Sequence, residues 1–226
     1  MVLSDQKSLQ LGMTTRTVER LDRLARRPVE KFTERRAELA QAALQTLSEL
    51  GYARTSVREI AQNSAFSHGV LHYYFNDKVD LILCSVRQYK ARCITRYDAV
   101  VAQARSADEL VDGFLDALGR TLHDEAHLHR LWYDIRAQAL FDASFQADIA
   151  EIEKSLEDMI WRIMERLFAL ASIAPTVSSS ATYAIMDGLF QQALLKYLSG
   201  QTDAVPNLQA DVRAVLRHIA GFRIIP

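Results

Sequence analysis

This 226-residue chain has few residues that interrupt helices or crosslink a chain: four prolines, eight glycines and two cysteines. Glycine costs a helix interior about 1 kcal/mol relative to alanine, and proline about 3 kcal/mol, so their scarcity argues against a loop-rich fold. Strand-like alternation, internal repeats and low-complexity tracts are also missing. With 49% apolar residues, the composition predicts an all-α globular protein.

The two cysteines, Cys84 and Cys93, lie on one predicted helix about two and a half turns apart, too far to bond each other. No secretory leader stands out, and no apolar run is long enough to cross a bilayer. We therefore expect free thiols, a cytoplasmic protein and no membrane partner.

Charge is unevenly distributed along the chain. Residues 1–80 hold 12 Lys and Arg against 10 Asp and Glu, whereas the net charge of the whole chain is −1. Residues 14–36 contain eight basic and four acidic side chains. A basic amino-terminal end fits contact with a polyanion, although a solvated helix surface explains the same charges equally well.

Three short helices are predicted between residues 34 and 75. The first has Thr33 as its predicted cap and closes at Gly51, and the second begins with Ser56 and Glu59, which form a capping box. Ser67 caps the third helix, within "SHGVLHYYF". A longer helix is predicted from Lys78 to residue 104, and further amphipathic helices follow it.

This layout is that of a helix-turn-helix DNA reader. Leu71, Tyr74 and Phe75 share one face of the third helix and are predicted to point inward. The opposite face carries hydrogen-bonding and stacking groups suited to a DNA groove, and helix ends supply phosphate contacts. The predicted DNA-contact residues are Thr55, Ser56, Ser67, His68, Gly69, His72, Tyr73 and Lys78.

The segment "TSVREIAQNSAFSHGVLHYYFNDKVDLI" resembles the signature of the tetracycline-repressor (TetR) family over residues 34–85. The resemblance implies a homodimeric regulator whose helical carboxyl domain encloses a small-molecule pocket and dimerises through its last two long helices. The implied division is a basic extension (1–32), a helix-turn-helix domain (33–80) and an effector-binding and dimerisation domain (81–226). "AIMDGLFQQALL" is similar to a segment of the betaine-inhibitor branch of that family.

Two positions depart from the family pattern. Ala65 stands where the turn normally has glycine, and His72 stands where tyrosine is usual. Alanine disfavours positive φ, so the turn could differ. These departures leave open a second hypothesis, a helical ligand-binding or protein-interaction module that has lost DNA binding.

The carboxyl half has many aromatic residues, most of which must be core. An apolar cavity with a few polar groups is expected there. The predicted lining residues are Trp132, Arg136, Trp161, Asp187 and Phe190. The last two helices expose enough apolar surface to pack against a second copy of the chain. The predicted dimer residues are Leu194, Tyr197, Leu198, Val212, Val215, Leu216 and Ile219.

No enzyme motif is present: there is no Gly-x-Ser-x-Gly elbow and no glycine-rich phosphate loop. His123 and His127, one helical turn apart, would chelate a metal only if their helix were unbroken, and a helix junction is predicted there. The sequence therefore predicts no catalytic residue, no cofactor and no metal. Its partners are double-stranded operator DNA and a small-molecule effector, and the expected activity is that of a repressor released by that molecule.

Overall fold

The computed structural model describes residues 29–220, which form nine α-helices and one turn of 3₁₀ helix, with no strand within that range. Helix α1 covers residues 29–50 of the described chain. The helices that follow are α2 (Val57–Gln62), α3 (His68–Tyr74), α4 (Lys78–Cys93), α5 (Asp98–Gln103), α6 (Ala107–Gln138), the 3₁₀ turn (Ala143–Phe145), α7 (Gln146–Ala171), α8 (Ser179–Leu198) and α9 (Ala204–Ile219). The predicted all-α class is confirmed.

The amino-terminal unit consists of α1, α2, α3 and the connections between them, residues 29–77. Its core is formed by apolar residues from all three helices, each at most 3% exposed: Leu39, Ala43, Leu47, Ile60, Leu71 and Phe75. The predicted inward face of α3 is thus confirmed for Leu71 and Phe75, while Tyr74 is half-buried.

The predicted helix starts and stops in this unit are confirmed except one. Ser56 and Glu59 form a reciprocal capping box on α2, the Ser67 hydroxyl accepts from the Val70 amide, and Gly51 closes α1 with φ 77°. The prediction that Thr33 caps α1 is wrong. The helix already includes residues 29–32, and the Thr33 hydroxyl donates to the Val29 carbonyl one turn earlier.

The carboxyl-terminal unit consists of α4 to α9, residues 78–220, and two of its helices differ from the sequence prediction. The expected helix from Lys78 to residue 104 breaks after Cys93. The Arg162 guanidinium donates to the freed Ile94 carbonyl, so a contact from α7 stabilises the break. The junction expected near His123 is a kink at Glu125 (φ −123°, ψ 20°) inside a continuous α6.

Helices α6, α8 and α9 pack against one another, and α7 packs against α4, α6 and α8. The described helices include none that combines the length and the apolar character needed to cross a bilayer. Cys84 and Cys93 are free thiols, the second of them buried.

Candidate functional site

The outer face of α3 presents a ridge of four residues, His68, Gly69, His72 and Tyr73, which we call the outer ridge. All four are exposed, and Tyr73 is 73% exposed. The 3.6-residue period of α3 gives this helix two distinct faces, because Leu71 and Phe75 anchor the opposite one. The predicted distribution of rings between an anchoring face and a presented face is therefore seen in the structure.

Within the outer ridge, His68 and His72 place their Nε2 atoms 3.1 Å apart, so one ring donates to the other. A Cβ added to Gly69 would meet no atom within 4 Å. Nothing inside the protein therefore requires glycine at this position. The space over Gly69 is open to whatever approaches the ridge.

Arg36 fixes the carboxyl end of α3 from behind. Its guanidinium donates to the Tyr74 carbonyl (2.9 Å) and to Asp80 Oδ1 (2.6 Å), and it lies over the Phe75 ring at 4.6 Å. This arginine belongs to the basic segment 14–36, yet its charge is paired with Asp80 of the same chain. Residues 1–28 of the predicted basic extension lie outside the described residues, and the predicted boundary at residue 32 falls within α1.

Two of the predicted phosphate contacts need correction. Thr55 is 2% exposed, and its hydroxyl donates to the Gly51 carbonyl, so its side chain stabilises the turn after α1 and does not reach the surface. The Lys78 ammonium donates to the Tyr52 carbonyl (2.6 Å) and lies 4.1 Å from the centre of the Tyr52 ring. Burial lowers the pKa of Lys78. Ser56 and Ser67 are both exposed at helix amino termini, where backbone amides favour anions.

The turn between α2 and α3 accommodates alanine. Among the described residues other than glycine, positive φ occurs at Ser172 alone, so Ala65 is not in the left-handed region. The departure at Ala65 therefore does not strain the turn. His72 is exposed on the outer ridge, where an imidazole replaces the usual tyrosine without any packing consequence.

A cavity of about 80 Å³, measured as the space open to the centre of a water-sized molecule, lies between α4, α6, α7 and α8. It is part of about 640 Å³ of space between atoms that is partly continuous with solvent. Of the predicted lining residues, Trp132, Asp187 and Phe190 face it. Arg136 and Trp161 do not. The Arg136 guanidinium lies behind Asp187 and binds it, and the Trp161 ring packs edge-on against Phe168.

Polar groups of the cavity wall are mostly paired with one another. Asp187 accepts from Arg136 Nη1 (2.5 Å) and from the Tyr133 hydroxyl (2.9 Å). Burial, and then the Asp187 charge, raises the pKa of Tyr133. Arg96 binds the Glu125 carboxylate through Nη2 (2.6 and 2.7 Å), so each of these two charges has a partner of opposite sign.

Among the lining residues that the sequence did not predict are two buried nitrogen-bearing side chains, Lys90 and His129. Lys90 is 3% exposed and His129 is 8% exposed. The signal for Lys90 was present: it follows Val86 by four residues and precedes Cys93 by three, so it falls on the apolar face of α4. A lysine on such a face is unusual because buried ammonium groups are costly.

Helix α6 connects the cavity to the amino-terminal unit. His129, Trp132 and Tyr133 face the cavity. On the same two turns, Asp134 Oδ2 accepts from the Tyr52 amide (2.7 Å) and Arg130 donates to the Ser48 carbonyl (2.7 Å). The segment of α6 beyond the kink at Glu125 therefore lines the cavity and also contacts the carboxyl end of α1 and the turn that follows it.

The predicted dimer residues divide into two groups. Leu194, Val212, Leu216 and Ile219 are buried within their own chain, because α6, α8 and α9 cover them, so these four assignments are wrong. Tyr197 and Val215 are half-buried, and Leu198 is 42% exposed. On the same helix, Ile185 (41% exposed) and Leu195 (57% exposed) also face outward.

No group of three or more histidine, cysteine, aspartate or glutamate side chains within residues 29–220 is arranged to hold a metal ion. The kink at Glu125 lies between His123 and His127, and His123 Nδ1 contacts Asp124 instead.

A short capped helix followed by an exposed helix on a three-helix support defines a helix-turn-helix DNA-binding protein. The sequence profile described as "Bacterial regulatory proteins, tetR family" matches residues 39–83. Residues 39–83 thus match the DNA-binding domain of the TetR family, and the similar proteins support a TetR-family transcriptional regulator.

Full-length similarities support the same family. The HTH-type transcriptional repressor KstR of Mycobacterium tuberculosis is 23% identical over 190 residues, which cover 83% of each chain. The HTH-type transcriptional regulator BetI of Cronobacter sakazakii is 26% identical over 176 residues, 74% of this chain and 81% of BetI.

Among solved structures, the regulator FadR of Bacillus subtilis, in complex with stearoyl-CoA, has the same fold. Its TM-score is 0.64 at 18% identity, over 82% of this chain and 98% of FadR.

Proposed function

We propose that this protein is a ligand-responsive repressor that binds its operator as a homodimer and acts without catalysis. The observation that carries the proposal is the outer ridge on α3, exposed on a rigid three-helix support. Its direct DNA contacts are Ser56, Ser67, His68, Gly69, His72 and Tyr73. The histidines and Tyr73 reach base edges in the major groove, and the serines and helix amides bind phosphate.

The cavity is the proposed effector site. A guest changes the DNA affinity only if it binds the two conformations of the protein with different affinity. Helix α6 supplies the connection, because His129 and Trp132 face the guest while Arg130 and Asp134 hold the amino-terminal unit. Helix α4, which begins at Lys78 beside Tyr52 and reaches the cavity at Cys93, is a second route.

The proposed dimer surface is the outward side of α8, whose exposed large apolar residues are Ile185, Leu195 and Leu198. Two copies packed about a two-fold axis would place two α3 helices on one side of the pair. Their spacing would have to match one duplex turn, about 34–36 Å, to read a pseudo-palindromic operator.

The similar proteins support a repressor that responds to a ligand. KstR is named a transcriptional repressor, and FadR was crystallised with stearoyl-CoA. The branch within the family remains a prediction, because KstR and BetI are similar to this chain to nearly the same degree.

The test is selection of bound sequences from random duplex DNA, followed by fluorescence anisotropy with the selected duplex. We expect a two-fold symmetric site with a specific affinity at least about a thousandfold above that for unrelated duplex. The double variant His68→Ala, Tyr73→Ala should lose the preference while keeping its helical circular dichroism. A matched control is Lys154→Ala, on the exposed face of α7. Failure to select any sequence would contradict the proposal.

A further inference from the structure

We propose that the cavity takes a mainly apolar guest with one carboxylate, and that the Lys90 ammonium and the His129 imidazole hold that carboxylate. The inference rests on the proposed function, since it names the class of effector.

Three charged side chains line the cavity: Lys90, Arg96 and Asp187. Arg96 is bound to Glu125, and Asp187 is bound to Arg136 and Tyr133. Lys90 alone has neither an ion pair nor a hydrogen bond with any described residue at its ammonium. Lys90 is therefore the one charged group lining the cavity that no anion of the described chain contacts directly, although Asp187 and Glu153, which share Arg136, act on it from a distance and raise its pKa.

The surroundings of Lys90 compensate only part of its charge. Its Nζ lies 4.4 Å from the centre of the Trp132 ring and 5.3 Å from that of Tyr89. Ring faces attract an ammonium, but more weakly than a carboxylate does at low dielectric. Burial lowers the pKa of Lys90 to about 8, so the group is still mostly protonated at neutral pH. A carboxylate in the cavity would supply a counter-charge in direct contact with the ammonium.

His129 offers a second contact beside Lys90. Its Nε2 atom is buried and has no hydrogen-bond partner in the described part of the chain. Burial, and then the charge of Lys90, lowers the pKa of His129 well below its usual value, which keeps the ring neutral. Both side chains pack on Tyr89, the His129 ring at 5.7 Å between centroids. A neutral imidazole that carries its proton on Nε2 donates to an anion.

The rest of the wall requires an apolar guest. The remaining space is enclosed by apolar side chains: Phe114, Leu118, Leu156, Ile160, Met186 and Phe190. A cationic guest, such as a quaternary ammonium compound, would stack on the same rings only by approaching Lys90, and like charges at low dielectric repel strongly. The charge of Lys90 therefore selects acids over amines.

The experiment compares guests that differ only in their head group. Decanoate, decan-1-ol and decyltrimethylammonium are titrated at pH 7, and 1-naphthoate and 1-naphthalenemethanol repeat the comparison on an aromatic body. Fluorescence of Trp132 reports binding in a Trp161→Phe background, because the chain has two tryptophans. We expect each acid to bind at least about tenfold more tightly than its alcohol, the range of a buried hydrogen bond to a charged group.

The variant Lys90→Met removes the charge and retains most of the volume. It should abolish the preference for acids while leaving the affinity for alcohols within about twofold. Lys154→Met, which removes an exposed lysine of α7, should keep the preference. His129→Leu should reduce the preference and His129→Gln should retain part of it, since glutamine still donates. Thermal unfolding followed by circular dichroism verifies that each variant folds.

Equal affinities for acid and alcohol, tighter binding of the cation, no binding by either acid, or an undiminished preference in Lys90→Met would each overturn the inference. The selected DNA duplex separates this outcome from the proposed function. Acids that bind through Lys90 without releasing DNA would leave the carboxylate site intact and contradict the effector role. Release by an uncharged guest would support the effector role and contradict the carboxylate site.

Discussion

The Tyr52 amide donates to Asp134 Oδ2 across 2.7 Å, so the turn after α1 is bonded directly to the helix that forms one wall of the cavity. The same carboxylate lies 3.2 Å from the position of a Cβ on Gly51. This close approach, together with the φ of 77°, accounts for glycine at residue 51. A movement of α6 around Asp134 would break or strain this contact.

Replacing Asp134 tests that connection. Asp134→Ala should free the Tyr52 amide and destabilise the protein by about 1 kcal/mol, because a partly buried donor loses its partner. Hydrogen exchange at Tyr52 should accelerate, and release of DNA by an effector should weaken. Asp116→Ala, at an exposed position on the same helix, is the matched control. Unchanged exchange at Tyr52 would exclude Asp134 from the connection.

Gly69→Ala separates folding from DNA contact. The added methyl group meets no atom of the protein, and alanine favours a helix interior over glycine by about 0.5–1 kcal/mol. We expect a higher midpoint of urea unfolding together with weaker operator binding, because the methyl group would stand between α3 and the groove. An unchanged affinity for the operator would place the DNA contact elsewhere.

The buried charge of Lys90 predicts a pH-dependent stability. Its folded pKa of about 8 lies below the ordinary 10.5, so the unfolded chain binds more protons between these values and stability rises with pH there. Below pH 8 the full penalty, about 3 kcal/mol, opposes folding. Lys90→Met should therefore be more stable than the native chain at pH 7, and the difference should shrink toward pH 10.5.

Urea unfolding at several pH values measures this effect. The charged groups that act on Lys90 are Cys93, Asp187, Glu153 and Arg96. Because Lys90 in turn lowers the pKa of Glu153 and of His129, the comparison uses the interval from pH 8 to 10.5, where Lys90 itself titrates. A Lys90→Met protein that is less stable than the native chain at pH 7 would show that the ammonium is well compensated.

Leu195→Glu tests the proposed dimer. Leu195 is 57% exposed, so a charge there should leave the monomer folded while separating two copies. Sedimentation should then give 25.6 kDa instead of twice that mass. Leu140→Glu, at a leucine 79% exposed in the loop after α6, should remain a dimer. A native chain that sediments as a monomer would contradict the proposal.

The basic extension is tested by deletion of residues 1–28, which precede the described part of α1. If the extension neutralises phosphates, the deletion should weaken binding evenly across sequences and flatten the dependence of log affinity on log salt by about 0.9 per lost contact. Anisotropy titrations at several salt concentrations measure the slope. An unchanged slope would remove the extension from the interface.

The sequence alone determined the all-α class, the capped starts of α2 and α3, and the two faces of α3. Those properties depend on residues within a few positions of one another, such as Ser56 with Glu59, or Leu71 with Phe75. Local signals of this kind can be recognised in the sequence because capping and the 3.6-residue period involve residues within about one helical turn.

Tertiary structure decided the rest. The break after Cys93 depends on Arg162, the use of Lys78 depends on Tyr52, and the burial of Val212 depends on helices α6 and α8. The state of Lys90 is decided in the same way, because Arg136 binds Asp187 and Glu125 binds Arg96, so that no charged side chain of the described residues contacts the Lys90 ammonium directly. Each of these features depends on contacts between residues tens of positions apart. A local sequence pattern does not specify which distant residue will form such a contact.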